Sequence, residues 1–166
     1  MTATETGEER EGATGQARIG TCRCGAVRLE VTAPPFMTAA CHCDGCKKMS
    51  ASAFSLTAMF PASGLRVAQG EVIRGGAKGP ELDHFMCPDC LSWLFTRVRG
   101  FEEMVNVRPT LFDTDDPEVQ DWCRPFIETM VAKRLPWVRT PAEHAFDAMP
   151  EMADFPALLE AFAARG

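Results

Sequence analysis

The sequence has no apolar run near the ~20 residues that a helix needs to cross a bilayer, so no membrane span is expected. Residues 1–17 lack a basic segment followed by an apolar run, so no secretory signal is expected either. Basic clusters are also scarce: Lys47–Lys48 is the only dense one, whereas nucleic-acid binders normally carry a basic patch. These absences predict a cytoplasmic protein that binds neither nucleic acid nor membrane.

The N-terminal segment is polar and acidic. After Met1 it contains no bulky apolar side chain, which predicts a disordered leader over residues 1–17. Four glutamates and Arg10 give this leader −3 of the formal net charge of −6, so the rest of the chain is only mildly acidic. The apolar content of 46% is sufficient for the core of one domain.

Short alternating segments indicate a mainly β domain. Val27, Leu29 and Val31 alternate with charged residues, and residues 54–60 alternate apolar with less apolar side chains, as half-buried strands do. Further strand-like segments are predicted at residues 65–67, 84–86, 93–95 and 104–107. Glycine and proline turns separate these segments, and the acidic stretch 113–121 is expected to be an exposed connection.

One helix is predicted, close to the C-terminus. Asp154 is a candidate cap and Pro156 falls in the first turn, where proline is tolerated. The expected buried face consists of Phe155, Leu158, Leu159 and Phe162. The predicted fold class is therefore mainly β with a short C-terminal helix.

Eight cysteines are the most informative feature, and they lie at positions 22, 24, 41, 43, 46, 87, 90 and 123. In a chain without an export signal, clustered cysteines favour metal binding over a disulfide scaffold. A thioredoxin-like redox pair at Cys87 and Cys90 is disfavoured because no βαβ pattern surrounds it. Cys123 stands alone and is interpreted as a small buried side chain.

Counting ligands favours two zinc sites. Cys87–Pro88–Asp89–Cys90 forms a knuckle, and Cys22 with Cys24 would complete a tetrahedral four-cysteine site. Cys41, Cys43 and Cys46 then remain as three ligands with a free coordination position, the arrangement of catalytic zinc. A single four-cysteine site with spare thiols is the alternative.

The motifs resemble the family of glutathione-dependent formaldehyde-activating enzymes, which shares its domain with the centromere protein V group. The likeness is carried by residues 20–27, 41–50 and 85–90, and more loosely by residues 135–138. It predicts a domain over residues 18–140, followed by an extension over 141–166 that contains the short helix. The family usually has glycine directly after the second knuckle, where this chain has Leu91.

The resemblance implies an Mss4-like β-sheet fold with zinc knuckles and two Zn²⁺ per chain. It implies structural zinc on Cys22, Cys24, Cys87 and Cys90, and catalytic zinc on Cys41, Cys43 and Cys46. The implied activity is a carbon–sulfur lyase reaction in which glutathione and formaldehyde form S-(hydroxymethyl)glutathione. A non-enzymatic, zinc-stabilised module for glutathione binding or protein interaction is the alternative.

A histidine, two lysines and a tryptophan are further candidates for a role at the site or in packing. His42 lies between two expected ligands, and a solvent-facing or supporting role is favoured over direct metal binding. Lys47 and Lys48 are candidates to attract the carboxylates of glutathione, although a solvated turn is the simpler interpretation. Trp137 is interpreted as core or rim packing.

Overall fold

The computed structural model describes residues 17–76 and 79–165, so the predicted leader lies outside the described residues except for Ala17. Eleven strands and three α-helices occur in the described part of the chain. The strands are β1 Arg18–Thr21, β2 Arg28–Val31, β3 Met37–Cys41, β4 Ser55–Pro61, β5 Leu65–Gln69, β6 Ile73–Gly75, β7 Leu82–Met86, β8 Trp93–Val98, β9 Met104–Val107, β10 Ile127–Thr129 and β11 His144–Ala145. The helices are α1 Asp44–Ser50, α2 Pro117–Trp122 and α3 Phe155–Ala163.

The strands form two sheets. A three-stranded antiparallel sheet has the order β1-β2-β5, and an eight-stranded sheet has the order β11-β10-β3-β4-β9-β8-β7-β6. The large sheet is antiparallel except around β10, which runs parallel to both β3 and β11. The prediction of a mainly β fold with a short C-terminal helix is confirmed.

The predicted strand alternation is present where it was clearest in the sequence. Val27, Leu29 and Val31 are all buried while Arg28 is exposed, so one face of β2 belongs to the core. In β4 the pattern is different, because Ser55 and Thr57 are buried together with Ala58 and Phe60. This strand lies in the middle of the large sheet between β3 and β9, and both of its faces are therefore covered.

Two apolar clusters hold the sheets together. The larger one includes Leu29 and Phe60 and reaches Cys22 and Cys87, so one cysteine of each predicted knuckle pair is part of the core. The smaller one centres on Met37, Phe126 and Leu158 and packs α3 against the part of the large sheet that contains β3 and β10. Residues beyond 140 thus contribute β11 to the sheet and α3 to the core.

The helices differ from the sequence-based expectation. The stretch predicted as an exposed connection contains α2, which begins after an Asp116 cap and buries Val119 and Trp122. The face of α3 is narrower than expected, since Leu158 is buried but Leu159 is 37% exposed. The Asp154 side chain does not cap α3; it accepts a hydrogen bond from the Glu151 backbone and closes the 3-10 turn that precedes the helix.

None of the helices in the described part of the chain is both long and apolar enough to cross a bilayer.

Candidate metal centres and the adjoining pocket

Four cysteines from two separate turns lie close together in the structure. Cys22 and Cys24 belong to the turn from β1 to β2, and Cys87 and Cys90 to the turn from β7 to β8. Their sulfur atoms all lie within 4.8 Å of one another. The Cys22–Cys24 and Cys24–Cys87 sulfur pairs are 3.5 and 3.8 Å apart. A tetrahedral zinc with sulfur ligands at 2.3 Å places its sulfurs roughly 3.8 Å apart, so this group fits one metal ion.

The two turns are built alike. The Gly25 backbone N–H donates to the Cys22 carbonyl at 3.0 Å, and the Leu91 N–H donates to the Cys87 carbonyl at 3.1 Å. The residue after the second cysteine of each pair has a left-handed backbone, with φ of 80° at Gly25 and 57° at Leu91. Leu91 therefore adopts the conformation that glycine accepts without strain, and its side chain is 62% exposed.

The other three clustered cysteines come from a single short segment. Cys41 ends β3, Cys43 is the N-cap of α1 and Cys46 lies in the first turn of that helix. The Cys43 sulfur accepts a hydrogen bond from the Cys46 backbone N–H at 3.2 Å, which closes the loop. The three sulfur atoms lie within 4.8 Å of one another, so this group could also hold a metal ion, with only three protein ligands.

The thiols of Cys41 and Cys46 influence each other's pKa. A hydrogen bond with the Cys46 side chain is the largest cause that lowers the pKa of Cys41 to about 5, whereas the same contact raises the pKa of Cys46. One sulfur of the group is therefore readily ionised beside a neighbouring thiol. An anionic sulfur among closely spaced thiols is a donor set that suits a soft or borderline cation such as Zn²⁺.

A pocket of about 550 Å³ adjoins the three-cysteine group. Ser55, which pairs with Cys41 in the sheet register, lines it, and so does Ser50, whose hydroxyl donates to the Cys46 carbonyl at 2.8 Å. A cavity of this size suits a small-molecule ligand. The pocket is lined by Met49, Ser50, Ser52, Phe54, Ser55, Leu56, Leu91, Ser92, Trp93, Arg108, Thr110 and Leu111.

One wall of this pocket carries a buried positive charge. The Arg108 guanidinium lies over the Trp93 ring at 4.1 Å, and His84 packs edge-on against the same ring. Burial lowers the pKa of Arg108 to about 10, although the negative charges of Cys46 and Cys41 act in the opposite direction. Burial and the nearby Arg108 charge also lower the pKa of His84. Arg108 thus stays protonated at neutral pH.

His42 is fully buried and lies outside the three-sulfur group. Its Nε2 donates to the Glu128 carboxylate at 3.0 Å, and its backbone N–H donates to the Thr129 carbonyl at 3.0 Å. Glu128 also accepts hydrogen bonds from Arg134 at 2.7 Å and Thr140 at 2.9 Å. His42 is therefore hydrogen-bonded to β10. This supports the expectation that it assists the neighbouring cysteines without binding metal, and it excludes a solvent-facing position.

The remaining candidates lie as follows. Lys47 is engaged within the protein, since its ammonium contacts the Asp44 carboxylate at 3.1 Å and donates to the Lys133 carbonyl at 2.8 Å. Trp137 was expected to pack in the core or at its rim, but its side chain is 73% exposed, so that interpretation was wrong. Cys123 is half-buried next to Trp122 and belongs to neither sulfur group.

Comparison with known proteins adds the family. The model of the glutathione-dependent formaldehyde-activating enzymes matches residues 17–129, which is more than half of the chain. The chain belongs to this family. The matched region contains all seven clustered cysteines, Arg108 and Glu128, and it ends before the Leu135–Val138 motif.

A solved crystal structure of a Rhodobacter sphaeroides protein is similar in fold, with a TM-score of 0.50 and 25% sequence identity. The similarity covers 60% of this chain and 91% of that chain. No curated protein matches this chain significantly. Membership of the family fits a function related to glutathione and formaldehyde, and both cysteine groups are compatible with zinc.

The sequence reasoning missed two charged residues at the site. Glu128 could have been noticed as an acid directly after two apolar residues, Phe126 and Ile127. Arg108 has no comparable signal, since a single arginine after a strand is normally exposed. Only the pairing of β9 with β4 and β8 shows that Arg108 comes to lie beside the three-cysteine group.

Proposed function

We propose that this protein is a zinc-dependent enzyme of the carbon–sulfur lyase type, which joins glutathione to a small aldehyde such as formaldehyde in the cytoplasm. The product with formaldehyde is S-(hydroxymethyl)glutathione. The observation that carries this proposal is the three-cysteine group, which offers only three ligands and opens beside a pocket of about 550 Å³. Three protein ligands with a free fourth position distinguish catalytic from structural zinc.

The two cysteine groups have different proposed roles. Cys22, Cys24, Cys87 and Cys90 hold a structural zinc, because four sulfurs complete a tetrahedron and leave no position for a substrate. Cys41, Cys43 and Cys46 hold the catalytic zinc. We assign residues 18–140 to the catalytic domain and residues 141–166 to a C-terminal extension.

The reaction forms one bond between sulfur and carbon. The thiol sulfur of glutathione attacks the aldehyde carbon, the π electrons of the carbonyl move to its oxygen, and the proton lost by the thiol is balanced by one gained at that oxygen. A free thiol has a pKa near ~8.5, so only a few per cent is thiolate at neutral pH. When bound at the three-cysteine group, zinc would ionise a coordinated thiol outright.

The chain itself supplies binding and orientation. Cys41, Cys43 and Cys46 together contribute three negative charges, which leaves a Zn²⁺ site with a net charge of −1 and favours delivery of a thiol over polarisation of a carbonyl. Ionising the thiol accounts for only about 2 kcal/mol, so most of the rate enhancement must come from positioning of the two substrates in the pocket. The hydrogen bonds of His42 to β10 keep the loop that carries two of these cysteines in place.

Calorimetry with two ligands tests the proposal. Glutathione should bind the zinc-loaded protein with release of a proton, because its thiol binds as thiolate. S-methylglutathione keeps both carboxylates but cannot ionise, and it should bind far more weakly. Titrations in two buffers with different ionisation enthalpies count the proton directly. Equal affinities without a released proton would contradict the enzyme and leave a zinc-stabilised glutathione-binding module as the function.

A further inference from the structure

The most buried arginine of the described residues has no carboxylate partner. Arg108 is only 8% exposed, and within residues 17–76 and 79–165 no acidic side chain forms an ion pair with it. Its guanidinium makes one hydrogen bond, a long one of 3.4 Å from Nη2 to the Asn106 carbonyl, and its buried Nε has no partner. By contrast, the more exposed Arg134 contacts Glu128 at 2.7 Å.

Burying an unpaired charge is costly, so this arrangement needs a physical reason. The Trp93 ring at 4.1 Å provides part of the compensation through a cation–π interaction. The sulfurs of Cys41 and Cys46 act on this charge only through space, because neither accepts a hydrogen bond from the guanidinium. Most of the five N–H donors of Arg108 therefore have no acceptor from the protein.

The guanidinium is placed where a ligand can reach it. Arg108, Trp93 and Ser55 all line the same pocket. The Arg108 guanidinium lies over the Trp93 ring, and Ser55 pairs with Cys41 in the sheet. The backbone N–H of Arg108 donates to the Leu94 carbonyl at 3.0 Å, so its strand end is fixed in the sheet. The hydroxyl groups of four serines and of Thr110 also line the pocket. The cavity thus combines apolar and hydroxyl side chains with one positive charge, and its lining contains no acidic side chain.

We propose that Arg108 forms an anion subsite, and that one of the two substrates binds there through a carboxylate while its reacting atom lies at the three-cysteine group. This inference rests on the proposed function and narrows its substrate class. The carboxylate has two possible sources. It belongs either to glutathione or to the carbonyl substrate, which would then be an aldehyde acid of the 2-oxo acid class rather than uncharged formaldehyde.

Binding measurements on the zinc-loaded wild-type protein separate the two sources. In the thiol arm, glutathione is compared with glutathione diethyl ester, which keeps the thiol but lacks both carboxylates. In the carbonyl arm, glycolate, an unreactive analogue of a hydrated aldehyde acid, is compared with methyl glycolate. A charge-assisted contact should make the acid bind about 10- to 100-fold more tightly than the ester in one arm. If neither acid is preferred over its ester, the proposal is overturned without any variant.

Substitution of Arg108 tests whether this residue causes the preference for the acid over the ester. Arg108→Met should abolish the preference for the acid while the ester binds as in the wild type. Arg108→Lys keeps the charge but loses the planar fork, so the preference should fall several-fold. Arg97→Met is the matched control, because Arg97 also lies over an aromatic ring, at 5.9 Å from Phe95, but does not line the pocket. An acid preference that is unchanged in both Arg108 variants would overturn the proposal.

The outcomes for the subsite and for the enzyme can be told apart. Folding of each variant is checked by its melting temperature, and if Arg108→Met does not fold, the comparison of Arg108→Lys with wild type decides. Proton release on glutathione binding tests the zinc-thiolate function, whereas the difference between glycolate and methyl glycolate involves no thiol. If glutathione binds without proton release but the acid is still preferred through Arg108, the proposed enzyme function is refuted and the anion subsite is retained.

Discussion

The two cysteine groups both present sulfur atoms, but they differ in burial and in the parts of the chain that supply them. In the four-cysteine group, Cys22 and Cys87 are buried in the main core cluster, and the sulfurs come from two turns on different strand pairs. In the three-cysteine group, all three side chains are half-buried, and the sulfurs come from one strand end and the helix that follows it. The first group joins distant parts of the chain, whereas the second comes from one short segment beside a pocket.

The surroundings differ as much as the ligand count. The four-cysteine turns are held by short-range backbone hydrogen bonds such as Leu91 N–H to Cys87 O at 3.1 Å. The three-cysteine segment is held by a buried charged network around Glu128 and lies near the unpaired Arg108. A metal site that only stabilises the fold needs a complete set of protein ligands. A catalytic metal site needs a free coordination position, with charged groups and space for substrate around it.

The largest expected difference between the groups is in folding. Cys87→Ser should abolish the structural site and cost on the order of 10 kcal/mol, since the binding energy of a structural zinc is folding energy. The variant should be recovered largely unfolded, as measured by circular dichroism and zinc content. Cys123→Ser is the control, because that thiol is half-buried but outside both groups. A Cys87→Ser protein that melts like the control would contradict the structural role.

Cys43→Ser should affect function more than stability. Serine is a good N-cap, so α1 keeps its first turn and only the metal site is lost. Zinc should fall from two ions per chain to one, and the proton release on glutathione binding should disappear. The loss in melting temperature should be much smaller than that of Cys87→Ser. Similar losses of stability in the two variants would mean that the structural and catalytic roles are wrongly assigned.

The charged network beside the three-cysteine group has a smaller expected effect. Glu128→Gln removes the carboxylate that His42, Arg134 and Thr140 share, and should cost about 2 kcal/mol of unfolding free energy. Thr140→Val removes a single hydrogen bond to the same carboxylate and should cost about 1 kcal/mol. Urea unfolding of both variants measures these values. A loss in Glu128→Gln no greater than in Thr140→Val would show that the network is not important for stability.

The smallest effect concerns the two knuckle turns. Leu91→Gly should stabilise the protein by about 1 kcal/mol, because it relieves a left-handed backbone with φ of 57°. Gly25→Ala should destabilise it by a similar amount, since φ is 80° there while an added methyl group meets no other atom. Thermal melts of both variants in the presence of zinc measure the difference. A destabilised Leu91→Gly would show that the leucine side chain contributes more on the pocket rim than its backbone strain costs.

Strands could be predicted from the sequence where one face was apolar and the other polar. Arg28 and Glu30 between buried residues marked β2, and β9 was predicted at residues 104–107, where it lies. β3 and β10 were missed because they lie side by side inside the large sheet, where Met37–Ala40 and Ile127–Thr129 are buried on both faces. Alternation is absent in such strands.

Helix α1 and parts of the candidate site also lack a sequence pattern from which they could be predicted. α1 buries none of its residues, so it has no apolar face to detect, and its only signals are the Cys43 cap and the charges at its two ends. The two sulfur groups contain the cysteines that ligand counting assigned to them. Spacing alone brings Cys41, Cys43 and Cys46 together, whereas the meeting of the two pairs in the other group depends on the fold. The neighbours of Arg108 and Glu128 could not be predicted, since they arise from strand pairing between distant segments.

The separation of Cys24 and Cys87 by 63 positions has a consequence for the unfolded chain. A metal bound to both turns acts as a cross-link that closes a long loop, as a disulfide does, and removes conformational freedom from the unfolded ensemble. For a loop of this length the chain-entropy relation gives roughly 4 kcal/mol. Cys41, Cys43 and Cys46 lie within six residues and close almost no loop, so they can bind a metal before the chain folds. Zinc would therefore bind the three-cysteine group through local contacts alone, and the four-cysteine group only when the two sheets assemble.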